Sequence, residues 1–184
     1  MKNSQVTQFG EPILRQNSNK VNPKEIESST VQNLISLLAA TLADKKLGVG
    51  LVAPQIGISV AVAVIRIHPT KIRPEVDALD LNIINPKVTK TFGRKMQMWE
   101  GCISSGAGKA GLFAKVPRYK RIELEYYDEN AKKHTKAFEG LPAHVIQHEV
   151  DHLNGILFVD RVVDSKTYMT YQAYKKAKVK NLLD

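Results

Sequence analysis

A single cysteine, Cys102, stands in the 184 residues, so no intramolecular disulfide can form. A lone cysteine is more often a small buried hydrophobe than a reactive group, and only its neighbours can argue otherwise. No apolar run reaches the ~20 residues needed to cross a bilayer, so no membrane partner is expected. The opening MKNSQVTQFGEPILRQNS has no continuous apolar core and does not read as a secretory signal, which predicts a cytoplasmic protein. Repeats, low-complexity tracts and linkers are also missing. The reading is therefore one domain over 1–184, burying roughly two-thirds of its unfolded surface. Acids are scarce beside bases, 18 against 27, for a net charge of +9. That excess is spread along the chain, although residues 166–180 carry five lysines and no acid. It reads first as a solvated lysine-rich exterior, second as a ribosome- or RNA-facing surface, and gives no reason to expect DNA. Hydrophobic residues at 43% and charged residues at 24% are ordinary for a globular chain.

What is present reads as α+β, with antiparallel or mixed sheets around a central helix and further helices near both termini. Asn22-Pro23 looks like a cap and first-turn proline. Val31, Leu34, Ile35, Leu38 and Leu42 then recur at helical spacing up to the Asp44-Lys45-Lys46 cluster. GVGLVAPQIG, 48–57, reads as a punctuated loop, and VAVAVIRI, 60–67, as a buried strand. LNIINPKVT, 81–89, reads as a strand interrupted or ended at Pro86. RIELEYYD, 121–128, alternates as a half-buried strand before a turn at Glu129-Asn130. A helix is expected over 142–153, with Pro142 in its first turn and Gly155 just past its end. Another is expected over 165–183, capped by Ser165.

QHEVDHLNG, 147–155, carries the chemistry. His148 and His152 lie four apart, hence on one helix face one turn apart, and can present ring nitrogens to one ion. Glu149 follows the first histidine and can reach the open coordination position. HExxH also turns up in unrelated helices. Here, however, Val145, Ile146, Leu153, Ile156, Leu157 and Phe158 place the helix in the core, where polar side chains need partners. Asp151 is either a supporting group behind the ligands or a surface acid on the other face.

Two histidines leave a catalytic site short of a ligand. After His152 the chain offers Asp160, Asp164 and Asp184 but no histidine or glutamate. Cys102 in WEGCISS is the better candidate, since Gly101 removes bulk beside it and Glu100 and Ser104 are unusual company for a structural cysteine. One thiolate, two imidazoles and an open position make a hydrolytic centre. Such a ligand set suits iron, zinc, nickel or cobalt alike.

GVGLVAPQIG, EGCIS and QHEVDHLNG, in this order, resemble the three signature motifs of the peptide deformylases. The resemblance spans roughly 10–163, including PILR, VPRY and ILFVDRV. It implies a deformylase fold and the hydrolysis of N-formyl-Met nascent peptides to formate and a free amino terminus. Cys102, His148 and His152 would bind one Fe(II) per chain, for which zinc, nickel or cobalt can substitute. Glu149 would be general base and then acid. Gln55 and the Ile103 N–H would form the oxyanion hole, and Val49 and Gly50 would take the substrate as an added strand. Glu100 and Gly101 would border the substrate cleft, with Glu100 also ion-paired to Arg118 behind the site.

The chain departs from the family pattern in three places. Val52 replaces the usual alanine, SGAGKAGLFAKVPRY lacks the usual proline after the cysteine motif, and His144 stands where an apolar or basic residue is common. Met98 is expected to line the pocket for the methionine side chain. His144 could rim that pocket, although a partly exposed polar residue is the plainer expectation. Trp99 reads simply as core. The competing readings are a zinc endopeptidase, disfavoured by the missing downstream ligand, and a ribosome-associated binding protein, disfavoured by the intact Glu149. The segment KTYMTYQAYKKAKVKNLLD could bring a deformylase into transient contact with the ribosome, or be a packed helix with solvated lysines.

Overall fold

A computed structural model describes residues 5–45, 48–70, 74–106 and 110–180. Its elements run α1 (Ser29–Ala43), β1 (Gly50–Val52), β2 (Val62–Ile67), β3 (Leu79–Gly101), β4 (Leu112–Tyr127), β5 (Lys133–Glu139), α2 (Leu141–Leu153), β6 (Met169–Thr170) and α3 (Tyr171–Val179). The strands form one sheet in the order β1-β2-β3-β4-β5, with β6 added beside β4, and every strand pairing is antiparallel. The expected α+β class holds, and of the two sheet types expected the antiparallel one is found.

The two long helices cover opposite faces of the sheet. Ala63, Ile65, Ile67, Ile83, Ile122, Leu124 and Tyr126 pack with Ala143, Val145, Ile146, Val150 and Leu153 of α2. Val62, Val64, Ile84 and Leu51 pack with Val31, Ile35, Leu38 and Leu42 of α1. With both faces buried, β2 needs apolar residues at successive positions, which is why VAVAVIRI does not alternate.

Local chemistry moves several boundaries. Pro23 opens only a short 3-10 turn capped by Asn22, and α1 itself is capped by the Ser28 hydroxyl, which accepts from Val31 N–H. Lys46 of the expected helix end lies outside the described residues. GVGLVAPQIG is no simple loop, because Gly50–Val52 pairs with β2 and Ala53–Ile56 forms a 3-10 turn.

Pro86 does not end its strand. It falls in a register shift between Ile84 and Lys87, where no ladder donor is required, and β3 continues to Gly101. Asn85 takes the left-handed conformation there (φ 52°) and is held by two hydrogen bonds with Val21, of 2.9 and 2.7 Å. The strand expected from residue 121 begins at Leu112. At the end of the chain, Ser165–Thr167 is a 3-10 turn, while α3 starts at Tyr171 under a cap from Thr170. Residues 181–183 of the helix expected there lie outside the described residues.

α2 stops at Gly155, whose φ of +69° suits glycine and whose missing Cβ leaves room for the Arg15 carbonyl. Gly155→Ala is therefore expected to cost more than about 1 kcal/mol, read as a lowered urea midpoint with an unchanged slope.

Candidate metal centre and active site

Three elements converge on the site: the start of β1 and the turn after it, the end of β3, and the middle of α2. Cys102 is the first residue past β3, and His148 and His152 face it from α2. The Cys102 thiol and one nitrogen of each histidine lie within 4.8 Å of one another, with Sγ 3.2 Å from His152 Nε2. One thiolate and two imidazoles fit a single divalent transition metal with a position to spare. The His152 Nδ1 is buried without a hydrogen-bond partner among the described residues. Burial, with help from the charge of His148, pushes the His152 imidazole well below its ordinary range, towards the neutral form that ligates.

A buried ionic network holds the histidine helix from behind. Glu100 receives the Arg118 guanidinium at 2.6 and 3.1 Å and lies 2.7 Å from His148 Nδ1. That contact fixes the ring and leaves Nε2 for a metal, the usual carboxylate–histidine support. Burial acts to raise the Glu100 carboxyl, but hydrogen bonds from His144 and His148, the His148 charge and the Arg118 hydrogen bond hold it well below the usual range. Arg118 also pairs with Asp151, and Arg161 reaches the same carboxylate at 2.8 and 3.1 Å. Of the two places open to Asp151, the structure takes the one behind the ligands. In the sequence Arg161 stood only within ILFVDRV, with nothing to tie it to Asp151.

Glu149 is 3% exposed, and its Oε2 has no partner among the described residues. Burial pushes its carboxyl up to about 7, opposed by the His148 charge and reinforced by Glu100. The other oxygen explains a glycine. A Cβ at Gly50 would overlap the Glu149 carboxylate, so β1 can pass over the acid only with glycine at that point. β1 is an edge strand whose partner is β2, leaving its other edge for an added strand. The Val49 carbonyl already accepts from Arg66 N–H at 2.8 Å.

Gln55 is buried in the turn after β1. Its Oε1 accepts from Val52 N–H at 3.0 Å, and its Nε2 donates to Ser104 Oγ at 3.0 Å while lying 3.6 Å from Cys102 Sγ. The side chain is thus aimed at the centre by its own backbone and by a serine that sequence reading noted only as odd company. The contact is with the Val52 backbone and not with its side chain. Ile103 lies beside Cys102 in the turn that follows, and its carbonyl accepts from Gln8 at 3.3 Å. Ser105 closes that turn, donating to the Cys102 carbonyl at 2.7 Å and accepting from Leu112 N–H at 2.9 Å. Residues 107–109 of the unusual loop lie outside the described residues.

His144 is not the partly exposed residue expected. It is 5% exposed, with Nδ1 3.1 Å from Met98 Sδ and Nε2 3.0 Å from Glu100 Oε1. Gln147 was missed altogether: it clamps α2 to β4 through both backbone groups of Tyr119, at 3.1 and 2.8 Å. A polar residue on the core side of a helix is the signal that could have found it.

The family model for polypeptide deformylase matches residues 3–168. Peptide deformylase 2 of Nostoc sp. is 34% identical over 177 residues, covering 96% of this chain and 95% of that protein. The peptide deformylase of Leptospira biflexa is 36% identical over 167 residues, covering 89% of each. The crystal structure of a class I type b peptide deformylase from Acinetobacter baumannii with Met-Ala-Ser bound superposes with a TM-score of 0.81 at 30% identity. It covers 88% of this chain and 99% of that one. The family is metal-dependent, and the thiol and two imidazoles found here form a group that could hold a metal ion. The chain belongs to the polypeptide deformylase family.

Proposed function

We propose that this chain removes the formyl group from the amino-terminal methionine of new polypeptides using one ion, Fe(II) by preference, held by Cys102, His148 and His152. The observation that carries the reading is the convergence of that donor set with a buried, partnerless carboxylate oxygen on Glu149 beside an open strand edge. When bound, the ion supplies a Lewis acid that makes water a nucleophile near neutral pH.

The chain's own groups do the rest. The substrate backbone adds to the β1 edge at Val49 and Gly50, which sets the formyl carbon beside Glu149. Glu149 takes the proton of the attacking water and hands it to the departing amine, so water and the formamide become formate and a free amino group. Gln55 Nε2 and the Ile103 N–H receive the charge that develops on the formyl oxygen. Met98 and His144 border the methionine pocket, while Glu100, with both oxygens engaged, and Arg118 hold His148. Gly101 borders the cleft through its backbone, since the Phe113 ring takes the place of a side chain there. The Met-Ala-Ser tripeptide bound by the Acinetobacter relative is the product such a cleft would release.

The test is formate release from formyl-Met-Ala-Ser by oxygen-free, Fe(II)-loaded protein, stripped with chelator and then titrated back. Activity should vanish on stripping and return in full at about one equivalent per chain. No release from fully metallated protein would overturn the reading. Gln55→Ala should lower kcat by about 10²–10³-fold with metal content unchanged, as measured by the same assay.

The cytoplasm, where nascent formylated chains appear, is the compartment this substrate implies. Lys175, Lys176, Lys178 and Lys180 near the end of α3 supply a basic surface for transient ribosome contact. Replacing Lys175 and Lys176 by Glu should abolish any salt-sensitive co-sedimentation with ribosomes. Unchanged co-sedimentation would remove that role.

A further inference from the structure

The helix α3 touches the metal centre's own strand through stacked rings. Phe113 lies opposite Gly101 in the β3–β4 register, and its ring occupies the space a Gly101 side chain would need. A Cβ there would come within 2.8 Å of three ring carbons. Tyr174 of α3 stacks on Phe113 with centroids 4.3 Å apart and planes 15° from parallel. The same tyrosine packs on Trp99, three residues before Cys102, at 5.8 Å. Tyr171 adds a second contact to Phe113 at 5.8 Å. β6 delivers the helix to this place, pairing Met169 and Thr170 with Phe113 and Leu112, and the Tyr171 N–H donates to the Gly111 carbonyl at 2.7 Å.

No residue of α3 is fully buried, and these rings attach it to β3 and β4. Cys102 follows Gly101 directly and is the first residue outside the ladder, so its backbone leaves from the strand end that Gly101 closes. On its far side the Ser105 hydroxyl holds the Cys102 carbonyl. The ring stack holds the near side.

We infer that Tyr174 and Phe113 are positioning residues: the C-terminal helix, stacked through Tyr174 on Phe113 and Trp99, fixes Gly101 and thereby sets the metal-binding sulfur of Cys102. The inference rests on Cys102 being a ligand. It separates Tyr174 from a residue that merely adds stability, because it ties a ring on a surface helix to the coordination of an ion.

The intact protein loaded with Co(II) tests it, since a thiolate-to-cobalt charge-transfer band reads the sulfur directly. Trp99, the chain's one tryptophan, reports by its emission whether the rings have parted. Tyr174→Ala should shift the emission, shift the band and speed cobalt loss to a chelator about tenfold or more, in the range seen when support behind a ligand is removed. Tyr174→Phe keeps the ring and should restore all three, and Phe113→Leu should reproduce the alanine result from the other partner. Wild-type band position and cobalt loss in Tyr174→Ala and Phe113→Leu would overturn the inference, as would unchanged Trp99 emission in Tyr174→Ala. A wild type that binds cobalt but lacks the band would overturn the Cys102 assignment, and the inference with it.

Discussion

Glu149→Ala is expected to lower deformylation by about 10²–10⁴-fold while leaving the bound metal in place. Proton transfer to or from a reacting group is worth that much, and among the described residues no other carboxylate is placed to supply it. Glu100 has both oxygens engaged by Arg118 and the histidines, and Asp151 is held between two arginines. The metal should stay because Glu149 is not in the donor set. The fold should stay because removing a buried carboxylate with an unpartnered oxygen relieves a desolvation cost rather than breaking a bond. Formate release and metal content measured on one preparation check both halves. Loss of metal in parallel with activity would mean that the residue holds the ion instead of moving the proton.

Arg118→Ala should be the most destabilising single change in the site. The arginine is 4% exposed and neutralises two buried carboxylates, Glu100 and Asp151. Cutting one partner from a buried ion pair costs about 3–5 kcal/mol, because the charges left behind have neither water nor a cation. A urea or thermal midpoint measures it. Arg118→Lys should recover only part, since an ammonium cannot fork to two oxygens of Glu100 and still reach Asp151. The Glu100 carboxyl titrates below its unfolded value, so its share of the stability is complete above the ordinary carboxylate range. That share is lost as pH falls through the lowered folded value.

How much of this was legible in the sequence depended on how local each signal was. The His148–Glu149–His152 spacing is a property of one helix and needs nothing beyond helical geometry. Cys102 could be joined to it across about fifty residues only because three motifs stand in order and the chain after His152 offers no histidine or glutamate. The length of β3 was hidden because register shifts near Asn85 and Gly93 break the two-residue alternation on which strand reading relies. β5, KHTKAFE, carries almost no apolar face and looks like surface because it is a sheet edge. The sequence offers Ser165 as the cap of the last helix, whereas the cap found is Thr170. The pairing of Met169–Thr170 with β4 chooses the second, and no local rule encodes that choice. The least legible contact is Gly50 under Glu149, two residues ninety-nine apart in the chain, whose fit explains why a side chain is missing in β1.

As a member of its family the chain removes the N-formyl group, and the central claim is that Cys102, His148 and His152 jointly hold the ion that this reaction needs. X-ray absorption at the iron edge of anaerobically loaded protein tests that claim most directly. The account predicts one sulfur and two imidazole nitrogens around each iron, with the sulfur signal gone in Cys102→Ser. An iron shell containing no sulfur in the wild type would contradict it.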